Sequence, residues 1–194
     1  ITRTAVGLPI GYLFGYQTDG LFQNQAEIDA HINADGSLYQ PNAAPGDIKY
    51  LDTNGDGIID DEDRTMIGDP TPTWTYGFNL SMAYKGFDLN LFGQGVWGND
   101  IYNVTRRFDL PMANYEASAL GRWTGEGTTN AYPRLIMGDP NGNFNRSSDF
   151  FVQNGAFFRI KTLQLGYNIP ANILDKIGIQ KARFYVSGNN LYTI

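Results

Sequence analysis

The sequence predicts an all-β chain: part of a transmembrane antiparallel β-barrel, with long-strand hairpins, long extracellular loops and a calcium-binding loop. Three observations carry this expectation. Aromatic residues make 14 % of 194 positions and Gly contributes 23, while charged residues reach only 18 %. Such a balance suits pleated surfaces and tight turns. From Trp74 to Tyr84, apolar residues alternate with small or polar ones without exception over eleven positions. That is the ~9–11 residues a tilted strand needs to cross a bilayer. The run ends at Lys85-Gly86, after which a second alternating run doubles back.

Other classes are disfavoured early. The net charge is −6, with no basic stripe of the kind that neutralises phosphates, so nucleic acid is not expected as a partner. Cysteine is absent, which removes disulfides and thiolate metal sites. No stretch approaches the ~20 apolar residues of a transmembrane helix, a point on which barrel strands are silent. Ile1-Thr2-Arg3-Thr4 lacks the basic start and apolar run of a signal peptide, as expected for an internal piece of a longer protein.

Residues 1–72 read as an extracellular segment. Gly and Pro punctuate its first 45 residues, with one short helical candidate from Gln25 to Ile32. Gly46 to Leu51 alternates like a strand. Residues 52–63 then follow the spacing of a calcium loop. Side-chain oxygen donors fall at loop positions one, three, five, nine and twelve, namely Asp52, Asn54, Asp56, Asp60 and Asp63. Ile58 would offer its backbone carbonyl at position seven, Gly57 permits the sharp turn, and Ile59 is the apolar anchor. Hard oxygen donors on a flexible ring suit Ca²⁺ better than Mg²⁺. Asp63 stands where Glu is usual, so either the loop closes more tightly or that carboxylate binds through one oxygen. The flanks carry no helix pair, and the alternative is a solvated acidic turn.

Residues 73–194 read as a partial barrel with strands at about 73–84, 87–97, 157–169 and 181–192. The even face of the first strand is aromatic at both ends (Trp74, Tyr76 and Tyr84) and aliphatic between (Leu80, Met82), matching the two interfacial girdles of a barrel. Residues 98–155 read as a long extracellular loop. In the third strand Leu163, Leu165, Tyr167 and Ile169 share a face with Arg159 and Lys161, which sets those two cations above the hydrocarbon. A periplasmic connection at Pro170–Gln180 leads to the fourth strand, which is still ascending at Ile194, so further strands are expected elsewhere. Strand parity places everything before Trp74 on the extracellular side.

Other features weigh less. His31 is the only histidine and reads as an exposed helix residue. Tyr102, Phe108, Tyr115, Trp123 and Tyr132 could stack on sugars, although packing of the loop explains most of them. No catalytic constellation is visible, so an enzyme is not expected.

Several landmarks, in order, resemble SusC/RagA-type TonB-dependent transporters. They are Gly15-Tyr16-Gln17-Thr18-Asp19-Gly20-Leu21-Phe22, Pro45-Gly46-Asp47-Ile48-Lys49-Tyr50, the calcium loop, and Ile67-Gly68-Asp69-Pro70-Thr71-Pro72. Tyr84-Lys85-Gly86-Phe87-Asp88-Leu89, Phe158-Arg159-Ile160-Lys161-Thr162-Leu163 and Val186-Ser187-Gly188-Asn189-Asn190-Leu191 follow. The resemblance implies a bacterial outer-membrane importer of glycan or peptide. It also implies a 22-strand barrel embedded in lipid, a TonB complex supplying energy, and a SusD-like lipoprotein lid. The plug, the TonB box and the closing strands have no counterpart in these residues. The competing reading is a secreted, calcium-stabilised β module that binds carbohydrate or protein.

Overall fold

A computed structural model describes residues 1–105 and 114–194. In chain order the strands are β1 (Thr2–Arg3), β2 (Tyr12–Gly15), β3 (Thr18–Leu21), β4 (Ile48–Tyr50), β5 (Thr65–Gly68) and β6 (Trp74–Tyr84). There follow β7 (Phe87–Trp97), β8 (Asp100–Tyr102), β9 (Val152–Asn154), β10 (Phe157–Asn168) and β11 (Arg183–Thr193). Two short helices join them, α1 (Gln25–Ala30) and α2 (Ala171–Leu174). The chain divides into two units: residues 1–71 with 100–153, and residues 72–99 with 154–194.

The first unit is built of short pieces, with β1-β2-β5 and β3-β4 as small sheets. Its core is Tyr16, Leu21, Ile48, Tyr50 and Ile59, with Tyr39, Trp123 and Phe150 packed against them. Helix α1 starts where the Asn24 side chain accepts the Glu27 N–H, and Ile28 is its buried residue. The helix is brief because it offers one apolar residue per turn and no more.

The second unit is one antiparallel sheet in the order β11-β10-β7-β6. The Lys85-Gly86 turn takes positive φ at both residues (47° and 90°), which matches the twist of a two-residue hairpin. Register turns the sequence pattern into rows. Tyr84, Phe87, Tyr167 and Phe184 align across all four strands at one end; Met82, Leu89, Leu165 and Val186 form the next row. Leu80, Leu91 and Leu163 follow, and Trp74 sits opposite Trp97 at the far end. Thus one face carries an apolar stripe with aromatic ends. Every residue of β6 is nevertheless exposed, so this stripe is not the buried side of a sandwich.

Two glycines in β7 belong to the same face. Gly93 lies opposite Phe78, and Gly95 opposite Tyr76. A Cβ at either would run into the ring across the strand, so the aromatics lie over bare backbone and cover it. Phe158 stacks on both rings at 6.3 and 6.0 Å.

One expectation is corrected by a β-bulge. The register of β10 shifts between Ile160 and Thr162 against both neighbours. Beyond the bulge Leu163 and Leu165 face the apolar side; before it Phe158 and Ile160 do. Arg159 therefore changes faces. It lies opposite Gln94 and donates through Nε to Thr193 Oγ1 at 2.9 Å, on the polar side and away from the stripe. An inserted residue reverses parity because strand side chains have a period of two.

This gives a test. Deleting Lys161 removes the inserted residue and leaves Phe158, Ile160, Leu163 and Leu165 in simple alternation on the apolar face, so the full-length protein carrying this deletion should still fold, whereas deleting Lys161 and Thr162 together turns Phe158 and Ile160 onto the polar face and should abolish folding. Lys161→Ala keeps the register and should fold. Retention of the heat-modifiable band on an unheated gel reports folding, and a single deletion that fails to fold beside a folded Lys161→Ala would refute the bulge.

Candidate functional site

Loop 52–63 joins β4 to β5 and ends in a single 3₁₀ turn, Asp61–Asp63. Its acidic and amide side chains fold back on the loop's own amides. The Asp52 carboxylate accepts the Gly55 N–H at 2.6 Å and the Gly57 N–H at 2.9 Å. Asn54 accepts from the Asp56 N–H at 2.8 Å, Asp56 from Ile58 at 2.9 Å, and Asp60 from Glu62 at 2.7 Å. These are the short-range turns that Asn and Asp favour. Gly55 and Gly57 have φ of 80° and 91°, where a side chain would be strained.

Asp63 sits at the centre of the loop and is fully buried. One oxygen accepts the Thr53 and Asn54 N–H groups at 2.8 and 3.3 Å, and the other accepts the Asp60 N–H at 2.8 Å. Ile59 is buried in the core of the unit while Ile58 stands 61 % exposed. Asn33 Nδ2 donates to the Gly57 carbonyl at 3.0 Å, and the Tyr16 hydroxyl donates to Asp61 at 3.0 Å. Burial works against the Asp52 charge, but the Gly57 and Gly55 N–H groups outweigh it and hold its carboxyl below the usual carboxylate range.

The donors fit a hard divalent cation by type, and a carboxylate has about four acceptor sites, more than these bonds use. Their placement is less telling. Among the described residues no three His, Cys, Asp or Glu side chains converge closely enough to form a metal cluster.

The supports of this region were invisible in sequence. Asp47 is fully buried and takes Arg134 through two bonds, of 2.6 and 2.9 Å. It also accepts from Asn143 Nδ2 and from the Ala44 N–H. Asn143 in turn accepts the Ile48 N–H at 2.9 Å. Gln40 and Asn141 donate to the Ile48 carbonyl, and Gln40 accepts the Tyr50 N–H. Side-chain amides thus take the place of a neighbouring strand along β4.

His31 departs from its expected exposed position. It ends α1 with its ring between Phe22 and Tyr39, at 5.4 and 4.9 Å. Burial, reinforced by Lys49, lowers its pKa. The loop aromatics divide. Trp123 packs into the core and donates to Gln23, and Tyr102 packs on Phe151. Tyr115 and Tyr132 line a hollow of about 220 Å³ with Phe150, Phe151, Glu116 and Gln153. Phe108 lies outside the described residues. A second, more open hollow of about 460 Å³ is lined by Asp19, Gln23, Lys49, Thr129 and Asn130, with Lys49 ion-paired to Asp19.

No family model matches the chain. It is similar to two TonB-dependent receptors of Formosa agariphila, 37 % identical over 190 residues and 34 % over 193, covering 96 % and 98 % of the chain. It is also similar to the TonB-dependent receptor SusC of Bacteroides thetaiotaomicron, 25 % identical over 131 residues, or 68 % of the chain. The chain spans 18 %, 19 % and 13 % of the length of these relatives. Among solved structures the RagAB peptide transporter aligns over the whole chain and 20 % of its own length, with a TM-score of 0.67 and 22 % identity.

The buried pair gives a prediction. Arg134→Ala leaves the Asp47 charge buried without its cation and should destabilise the first unit by ~3–5 kcal/mol. Faster proteolysis of residues 40–50 and 134–144 in the full receptor, at denaturant levels that spare the wild type, would register it. Unchanged cleavage would show the pair to be dispensable.

Proposed function

The chain belongs to the SusC/RagA-type TonB-dependent receptors of the bacterial outer membrane, and from that premise we propose that its four long strands are a sector of the receptor's lipid-facing barrel wall. Its family is one of transporters, not of enzymes. The observation that carries the proposal is the row pattern: aromatic rows at both ends of an exposed stripe, aliphatic rows between, across strands β6, β7, β10 and β11. Such a stripe suits hydrocarbon bounded by two interfaces. The opposite face, with Asn79, Ser81, Asn90, Gln94 and Gln164, suits a wet lumen. Strand parity then assigns the first unit to the extracellular side. The whole receptor would import glycan or peptide with TonB-derived energy beneath a SusD-like lipoprotein lid. The peptide transport named for RagAB favours peptide as the substrate to try first.

Loop 52–63 completes the proposal as a calcium-held staple of the extracellular unit, with Asp52, Asn54, Asp56, Asp60, Asp63 and the Ile58 carbonyl as ligands. Support comes from the oxygen-rich spacing and from Ile59, which ties the loop to the core. Extracellular calcium sites are commonly weak, about 10⁻⁴–10⁻³ M, and a tenfold excess over Kd stabilises by about 1.4 kcal/mol.

Each half has its test. Single cysteines from Trp74 to Tyr84 should react alternately with lipid-soluble and water-soluble reagents, the even positions with the former. Leu80→Arg should cost ~2–4 kcal/mol and Asn79→Arg far less; a flat labelling pattern would end the barrel reading. For the loop, millimolar calcium should protect residues 20–72 from protease relative to chelator, and Asp56→Ala with Asp60→Ala should abolish that difference while the barrel still inserts. Equal protection of the wild type with and without calcium would reduce the loop to an acidic turn.

A further inference from the structure

The connection between β10 and β11 is long for a hairpin of this sheet, and its composition is unusual for a solvated turn. It lies at the same end as Lys85-Gly86, because the Asn168 N–H donates to the Gly86 carbonyl at 2.7 Å. Helix α2 runs on into a 3₁₀ turn, Asp175–Ile177, which stops at Gly178 with φ of 70°. Leu174 is buried and pins the turn, and the Ile179 N–H donates back to the Leu174 carbonyl at 3.2 Å.

What remains outside is apolar. Ile173, Ile177 and Ile179 are 53, 64 and 44 % exposed. Ile173 and Ile177, four residues apart, share one side of the turn, with Asp175 on the other. Two cations, Lys176 and Lys181, stand exposed beside them. The next large apolar residue along the chain is Phe184, 68 % exposed, which ends the aromatic row of Tyr84, Phe87 and Tyr167. The turn thus leads along the chain into the end of the apolar stripe.

We propose that this turn lies in the headgroup layer of the periplasmic leaflet, with Ile173, Ile177 and Ile179 against acyl chains and Lys176 and Lys181 on phospholipid phosphates. The assignment rests on the reading of the sheet as a lipid-facing barrel wall. Lipid is the occupant for two reasons: the turn adjoins the aromatic end of the stripe, at the Lys85-Gly86 end of the sheet, and its cations complement anionic headgroups. Short amphipathic segments with apolar and Lys-bearing sides bind interfaces in this manner, their lysines reaching up to phosphate.

The experiment uses the full receptor, freed of any other cysteine, in bilayers of phosphatidylethanolamine and phosphatidylglycerol. Nitroxides are attached at Ile173→Cys, Ile177→Cys, Asp175→Cys and, as a reference in the stripe, Leu80→Cys. Collision with oxygen should exceed collision with a water-soluble nickel chelate severalfold at positions 80, 173 and 177, and the ratio should invert at 175. Water-like values at 173 and 177 beside a lipid-like value at 80 overturn the proposal. Shielding of 173 and 177 from both reagents also overturns it, since protein would then cover the turn. A water-like value at 80 sinks the barrel reading itself, and this proposal with it. Reversing both lysines (Lys176→Glu, Lys181→Glu) should move position 177 toward the nickel reagent in these bilayers; no change overturns the phosphate contact.

Discussion

A buried amide must find an acceptor, and in the first unit that constraint falls on β4. The strand pairs with β3 along one edge only, while Ile48 and Tyr50 are fully buried. An unpaired N–H or C=O there costs ~1–3 kcal/mol each. Gln40, Asn141 and Asn143 meet the demand with their amide groups, which donate and accept in the same plane as a peptide would. Asp47 holds Asn143 in place, and Arg134 balances Asp47. Residues 134–144 are docked on residues 40–50 by this chain of needs, and the core that receives Ile59 forms around it.

The two units solve the folding problem differently. The first has a small hydrophobic core and a polar network that must be complete to be favourable. The second has long ladders of hydrogen bonds and almost no buried side chains. Its apolar rows gain nothing from water; only a hydrocarbon environment makes them an asset. The proposed membrane placement of the sheet would account for one chain carrying both a loop-rich body with its own core and a sheet whose first and last strands are exposed.

Local periodicity was enough to read β6 and β7, because an eleven-residue alternation has one sensible fold and Lys85-Gly86 one sensible turn. The spacing of loop 52–63 was equally plain as a list of donors, though not as a placement of them. The bulge in β10 also has a signal in the sequence: Phe158 and Ile160 are even, Leu163, Leu165 and Tyr167 odd, and two apolar sets of opposite parity in one strand require an inserted residue. No comparable signal existed for Gln40 with Asn141 or for Asp47 with Arg134. Those partners are 101 and 87 residues apart, and nothing local distinguishes a buried Asn from one in a turn. His31 is covered instead by nearby rings, Phe22 and Tyr39, one from either side of the helix, which helical periodicity does not foretell.

The rings that lie over Gly93 and Gly95 tie positions together across the hairpin. Because Phe78 occupies the space a side chain at 93 would need, neither can change freely: a larger residue at 93 demands a smaller one at 78, and loss of the ring at 78 leaves bare backbone facing outward. Phe78 and Gly93 are therefore one packing unit, in which a change at either position is accommodated only by a change at the other. Gly95 is held more strictly, since a Cβ there would meet the Phe157 carbonyl oxygen as well as the Tyr76 ring.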